Sequence, residues 1–158
     1  MKLDAEQWEQ LGPRHVFAWA WQSVNVAFSA HAAELRDTST RVPLRGLMLF
    51  AWNRGVCGYR LPDWQLDTLL SDTTRLGTQG EISQPLRDAV LGLHHLGRAA
   101  MVSREVDAGG SDRSRAHFRE NLLLSLEHAT KSHRPVADDA RKRLALLSES
   151  LRVECERV

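Results

Sequence analysis

Apolar residues recur every three or four positions along most of this chain, and stretches that alternate with period two are nearly absent. That spacing lays one apolar stripe along an α-helix, whereas a half-buried strand needs strict alternation, so the pattern predicts an all-α protein. The first long helix is predicted from Pro13, whose fixed φ and missing N–H suit a first turn, to about Arg36. Phe17, Ala20, Val24 and Phe28 form its stripe, and Val16, Trp19, Trp21 and Ala27 widen it, as in a central helix touched on two sides. A second apolar helix is predicted from Pro43 to about Asn53, ended by Gly55 and Gly58. Asp63 is placed to cap a third, with Trp64, Leu66, Leu69, Leu70 and Leu76 apolar, before Gly77 and Gly80 break the pattern. Between residues 82 and 104, Ile82, Leu86, Ala89, Val90, Leu93, Leu96 and Ala100 make the cleanest amphipathic run, with Arg87, His94, Arg98 and Arg104 on the opposite edge. Gly92 and Gly97 fall inside that run and read as sites of close packing.

Residues 107–111 contain two adjacent glycines and read as a linker. Beyond them, Phe118, Leu122, Leu126 and Ala129 mark a helix over 112–132, and Val136, Ala140, Leu144, Leu147 and Leu151 mark another from 135 to about 156. These two are expected to pair as an antiparallel α-hairpin. All five tryptophans lie within the first 64 residues, so the main core is expected there, with the hairpin a lighter addition. The pattern therefore predicts a helical bundle of about four helices plus a C-terminal α-hairpin: a core domain over 1–106, a Gly-rich linker over 107–111 and the hairpin over 112–158.

Charge changes this picture at one place. The whole chain of 158 residues carries only +1, which excludes a uniformly basic nucleic-acid-binding tail. Residues 36–60, however, hold Arg36, Arg41, Arg45, Arg54 and Arg60 against Asp37 alone, a local charge of +4, with Trp52 and Tyr59 interleaved. A segregated cationic surface with aromatics is the usual footprint of a phosphate-binding face. Residues 61–88 carry the opposite excess, with Asp63, Asp67, Asp72, Glu81 and Asp88 against Arg75 and Arg87, so copies could stack head to tail.

Catalytic and metal chemistry find little support in the residue pattern. Cys57 and Cys155 are too far apart in sequence for a zinc knuckle and too few for a disulfide framework, which suits a reducing cytoplasm. Seven histidines are present, but His94 and His95 point about 100° apart on a helix, and no His-Glu-x-x-His motif occurs. His117 with Glu120, and Glu127 with His133, are the remaining pairs that could share an ion. Gly-x-Ser-x-Gly, a Walker loop and a strand-borne Gly-x-Gly-x-x-Gly are all missing. No secretory leader and no run of about 18 apolar residues is visible. The expectation is a noncatalytic protein without metal, cofactor, small-molecule substrate or membrane span.

Three segments carry a family resemblance: His15-x-x-Ala-Trp-Ala-Trp-Gln-Ser-Val24, Leu44-Arg-Gly-Leu-Met-Leu-Phe-Ala-Trp-Asn-Arg-Gly55, and Leu86-Arg-Asp-Ala-Val-Leu-Gly-Leu-His-His-Leu-Gly-Arg-Ala-Ala100. With the Leu3-Asp4 opening, their order resembles the small helical subunit of type III-B CRISPR RNA-guided effector complexes, over about the first 105 residues. The resemblance implies a noncatalytic subunit that contacts guide or target RNA backbone and neighbouring subunits. Carried over by position, the implied nucleic-acid-binding residues are Arg45, Arg54 and Arg98, with Arg14 and Arg60 as neighbours. The alternative is a helical protein–protein adaptor or regulator that binds no nucleic acid.

Overall fold

The computed structural model describes residues 3–34 and 63–157, and every element among them is a helix. In chain order these are α1 (Ala5–Leu11), α2 (Pro13–His31), α3 (Asp63–Thr78), α4 (Gln84–Asp107), α5 (Asp112–Ser132) and α6 (Arg134–Arg157). The helix expected from Pro43 to Asn53, with Cys57 and the arginines at 36, 41, 45, 54 and 60, lies outside the described residues. None of the described helices is long and apolar enough to cross a membrane.

Local chemistry explains where the helices start. Asp4 accepts from the Gln7 N–H while the Gln7 side chain accepts from the Asp4 N–H, at 2.8 and 3.0 Å, a reciprocal cap that begins α1. Gly12 follows α1 with φ 82°, a left-handed value that lets the chain turn directly into Pro13, the first residue of α2. Ser83 caps α4 by accepting from the Leu86 N–H at 3.2 Å. Its own N–H and hydroxyl donate to the two carboxylate oxygens of Glu34, at 2.7 and 2.5 Å, so the end of the α2 segment is clasped to the start of α4.

The central pair is α4 and α5, which run antiparallel. Gly109, with φ 80°, reverses the chain between them. The turn is tied down: the Gly110 N–H donates to the Glu105 carbonyl at 2.7 Å, and the Ser114 hydroxyl to the Glu105 carboxylate at 2.8 Å. Residues 107–111 are thus a fastened reversal. Farther along, a Cβ on Gly92 would stand 3.3 Å from the Ser125 carbonyl oxygen and 3.4 Å from Val24 Cγ2, so the missing side chain is what lets α5 and α2 come this close.

α2 lies against both helices, parallel to α5 and antiparallel to α4. Phe17 stacks on Phe118 with ring centres 6.1 Å apart, and the His31 ring meets the Ser132 carbonyl at 3.0 Å at the far end. α3 lies antiparallel along another side of α4, with Leu66 over Gly97, where a Cβ would fall 2.8 Å from Leu66 Cδ2. Both glycines are thus sites of close packing. α6 returns antiparallel to α2, burying Val136, Ala140 and Leu147 and placing the Arg143 guanidinium 5.5 Å from the Trp19 ring centre.

One continuous core results. Val16, Trp19, Val24 and Phe28 from α2, Leu66, Leu69 and Leu76 from α3, and Leu86, Val90 and Leu93 from α4 meet Phe118, Leu122 and Leu126 from α5. The C-terminal half is therefore more than a light addition: α5 supplies a full apolar face to the same cluster that holds the tryptophan-bearing helices.

The two glycine contacts differ in what they press against, backbone at Gly92 and a rotatable leucine tip at Gly97. Gly92→Val should destabilise the fold by about 1–3 kcal/mol, the cost typical of overpacking, while Gly97→Ala should cost much less because Leu66 can turn aside. Urea denaturation of the two variants beside the parent chain measures the difference.

Candidate functional site

Imidazoles gather along the seam between α4 and α5. The close helix approach puts polar side chains of the two facing rows within reach of each other, and burial then requires that each find a partner. His94 is only 3% exposed, and its Nδ1 lies 2.9 Å from the Leu66 carbonyl of α3. A carbonyl only accepts, so Nδ1 carries the proton. This corrects the placement of His94 on the polar edge of its helix: the edge is covered by α3.

His95 continues the row. Asn121 donates its amide to the His117 carbonyl at 3.0 Å, which leaves its oxygen to accept from His95 Nδ1 at 3.0 Å. The His95 ring meets His94 edge to face at 4.9 Å and lies parallel to His128 at 5.6 Å. His128 in turn donates from Nδ1 to the Asp88 carboxylate at 2.9 Å, with both side chains mostly buried. Three imidazoles from two helices thus form one contact chain whose ends are a backbone carbonyl and a carboxylate.

Electrostatics favour the neutral form of His94 and His95. Burial, and then the neighbouring His95, push the His94 pKa down to about 4, and burial likewise lowers that of His95. Directional imidazole hydrogen bonds serve here as polar mortar between three helices. Among the described residues no group of three or more His, Cys, Asp or Glu side chains could hold a metal ion. Of the pairs marked in the sequence, Glu127 is taken by Lys131 at 3.0 Å, which holds its carboxyl below the ordinary range, and His133 packs edge-on against His31.

The sequence-predicted arginines are placed differently. Arg45, Arg54 and Arg60 lie outside the described residues. Arg14 sits in the first turn of α2 with its side chain 86% exposed, its Nε 3.5 Å from the Asp107 carboxylate at the end of α4. Arg98 is mostly covered and is ion-paired with Asp67 of α3. Arg98 and Asp107 are nine residues apart on α4, which at 100° per residue places them on opposite sides of the helix. The structure therefore brings Arg14 and Arg98 to different faces of α4.

The acidic stretch is likewise engaged inside the molecule. Asp67 meets Arg98, Asp72 lies 3.6 Å from Arg75 and Asp88 holds His128. The seam itself was missed by sequence reasoning. Asn121 and His128 lie on the face of α5 next to its apolar stripe, about one turn and three turns beyond His117, and that spacing was the available signal.

Comparison of the chain with models of known protein families, with curated proteins and with solved structures gives no match.

The lowered His94 pKa sets a pH dependence. The unfolded imidazole binds its proton near 6.5 and the folded one near 4, so between these values the unfolded state holds more protons. Stability is complete above about 6.5, falls as pH drops through the window and levels below about 4, a loss of about 3 kcal/mol from this group. Urea midpoints at pH 7 and 4.5 should differ less in His94→Gln than in the parent chain.

Proposed function

We propose that this chain is a noncatalytic α-helical subunit of a nucleoprotein assembly, holding nucleic-acid backbone through its arginines while its helical body contacts neighbouring subunits. The observation that carries the reading is the segregation of charge: +4 over residues 36–60 in a chain of +1. Phosphate neutralisation by such a cluster needs neither a pocket nor a sequence-reading side chain, and the contacts are sequence-independent and salt-sensitive. The commitment of His94, His95 and His128 to helix packing supports a structural use of the histidines. Arg14, the most accessible of the described candidates, and Arg98, held by Asp67, join Arg45, Arg54 and Arg60 in the proposed set. The resemblance to the small helical subunit of type III-B CRISPR effector complexes makes guide or target RNA the favoured ligand in this reading.

A second reading, a protein–protein adaptor, is favoured by the exposure of Trp64, 64% accessible on the outer face of α3. An indole left in water at that level is a common anchor for a partner protein.

Fluorescence anisotropy with a single-stranded RNA separates the two. The pair Arg45→Glu with Arg54→Glu should weaken binding at least about tenfold at low salt and flatten the log-log salt dependence by roughly 0.7 for each phosphate no longer neutralised. Circular dichroism should show unchanged helicity. Undiminished binding at moderate salt would remove the nucleic-acid reading, and Trp64→Ser abolishing capture of a protein partner would establish the adaptor.

A further inference from the structure

α6 carries charges that its own fold uses and others that it does not. Asp138 is ion-paired with Arg141, and Asp139 with Arg143 at 2.8 Å. Lys142 and Glu149 are exposed, and neither enters an ion pair among the described residues. They are seven residues apart, two helical turns, so they share one stripe of the helix. Leu146 lies on that stripe between them and is 68% exposed, the highest value among the described large apolar side chains. Leu146 stands on the rim of a groove of about 280 Å³ between α6 and the α1–α2 corner, whose other walls are Leu11, His15, Trp19, Arg143, Leu144 and Leu147.

A two-fold interface requires one surface to carry both members of every complementary pair. This face does so in shape and in charge. It has an apolar knob in Leu146 next to an apolar groove, and a free cation one turn before the knob with a free anion one turn after it.

We propose that this face of α6 is a self-association surface, through which two copies of the chain pair by antiparallel α6 helices. With the two-fold axis passing between the two helices at the level between Ala145 and Leu146, Leu146 of each copy lies level with the small Ala145 of the other and enters the adjacent groove. The same axis sets Lys142 of one copy opposite Glu149 of its partner, twice. Parallel pairing would instead oppose Lys142 to Lys142 and Glu149 to Glu149, which costs free energy in place of gaining it. This inference stands apart from the nucleic-acid reading, since none of the residues it uses is among the proposed RNA contacts.

Sedimentation equilibrium of the full chain from low to high micromolar concentration tests it. The expected result is a reversible monomer–dimer equilibrium, with Leu146→Glu raising the dissociation constant at least about tenfold, as for a central apolar anchor. Lys142→Glu and Glu149→Lys should each weaken the dimer, and the two together should restore it, because in the antiparallel arrangement each single reversal opposes like charges twice and the double reversal makes every cross-copy pair opposite again. All three side chains are exposed, so thermal melts of the variants should match the parent and separate failed pairing from failed folding. A chain that stays monomeric at every concentration overturns the proposal, and so does a dimer indifferent to Leu146→Glu. Failure of the charge swap to restore what the single reversals remove overturns the antiparallel geometry.

Discussion

The approach of α4 to α5 at Gly92 is the constraint on which the rest of this molecule depends. With a carbonyl of α5 only 3.3 Å from where a side chain would begin, the two backbones are nearly in contact, and neighbouring residues must fit the space this leaves. Above and below the contact the facing rows hold Ala89 and Leu93 on one side and Leu122, Leu126 and Ala129 on the other, all buried. The polar members of those rows have little access to water, so His95, Asn121, His128 and Asp88 satisfy one another across the seam. Close backbones and mutual polar bonding are one solution to a single geometric demand.

Much of the helical layout was legible in the chain because it is written locally. Pro13 announces a start and the glycines near 109 a break, and the apolar spacing between them fixes which face is buried. α1 escaped notice although Asp4 and Gln7 stand at capping-box spacing, because seven residues make too few turns for a periodic stripe. The seam was harder. His94 looked polar because its helix alone has a polar edge there, and only the Leu66 carbonyl, 28 positions earlier, makes it a core residue. His95 and His128 find their partners 26 and 40 positions away, distances over which no periodicity speaks.

The charges teach a related lesson. Counting arginines along the sequence suggests a cationic protein surface, yet Arg98 and Arg143 are each held by an aspartate, and Arg143 also covers Trp19. An ion pair on a helix surface adds little stability, but it removes both members from the pool available to outside partners. Among the described residues, Arg104, Arg113, Arg134 and Lys142 are exposed and enter no such pair, so they are among the cations left for outside partners.

The clasp between Glu34 and Ser83 gives the chain a closed topology. Two hydrogen bonds join points 49 residues apart, so α3 and everything between it and α2 belong to a closed loop whose neck sits on the core. The neck joins α2 to α4, and within the loop α3 is seated on the core through Leu66, Leu69 and Leu76. Loop-closure entropy grows only slowly with length, so residues added between α2 and α3 would cost this clasp little. The clasp thus fixes where the chain leaves α2 and enters α4, whatever length of chain lies between.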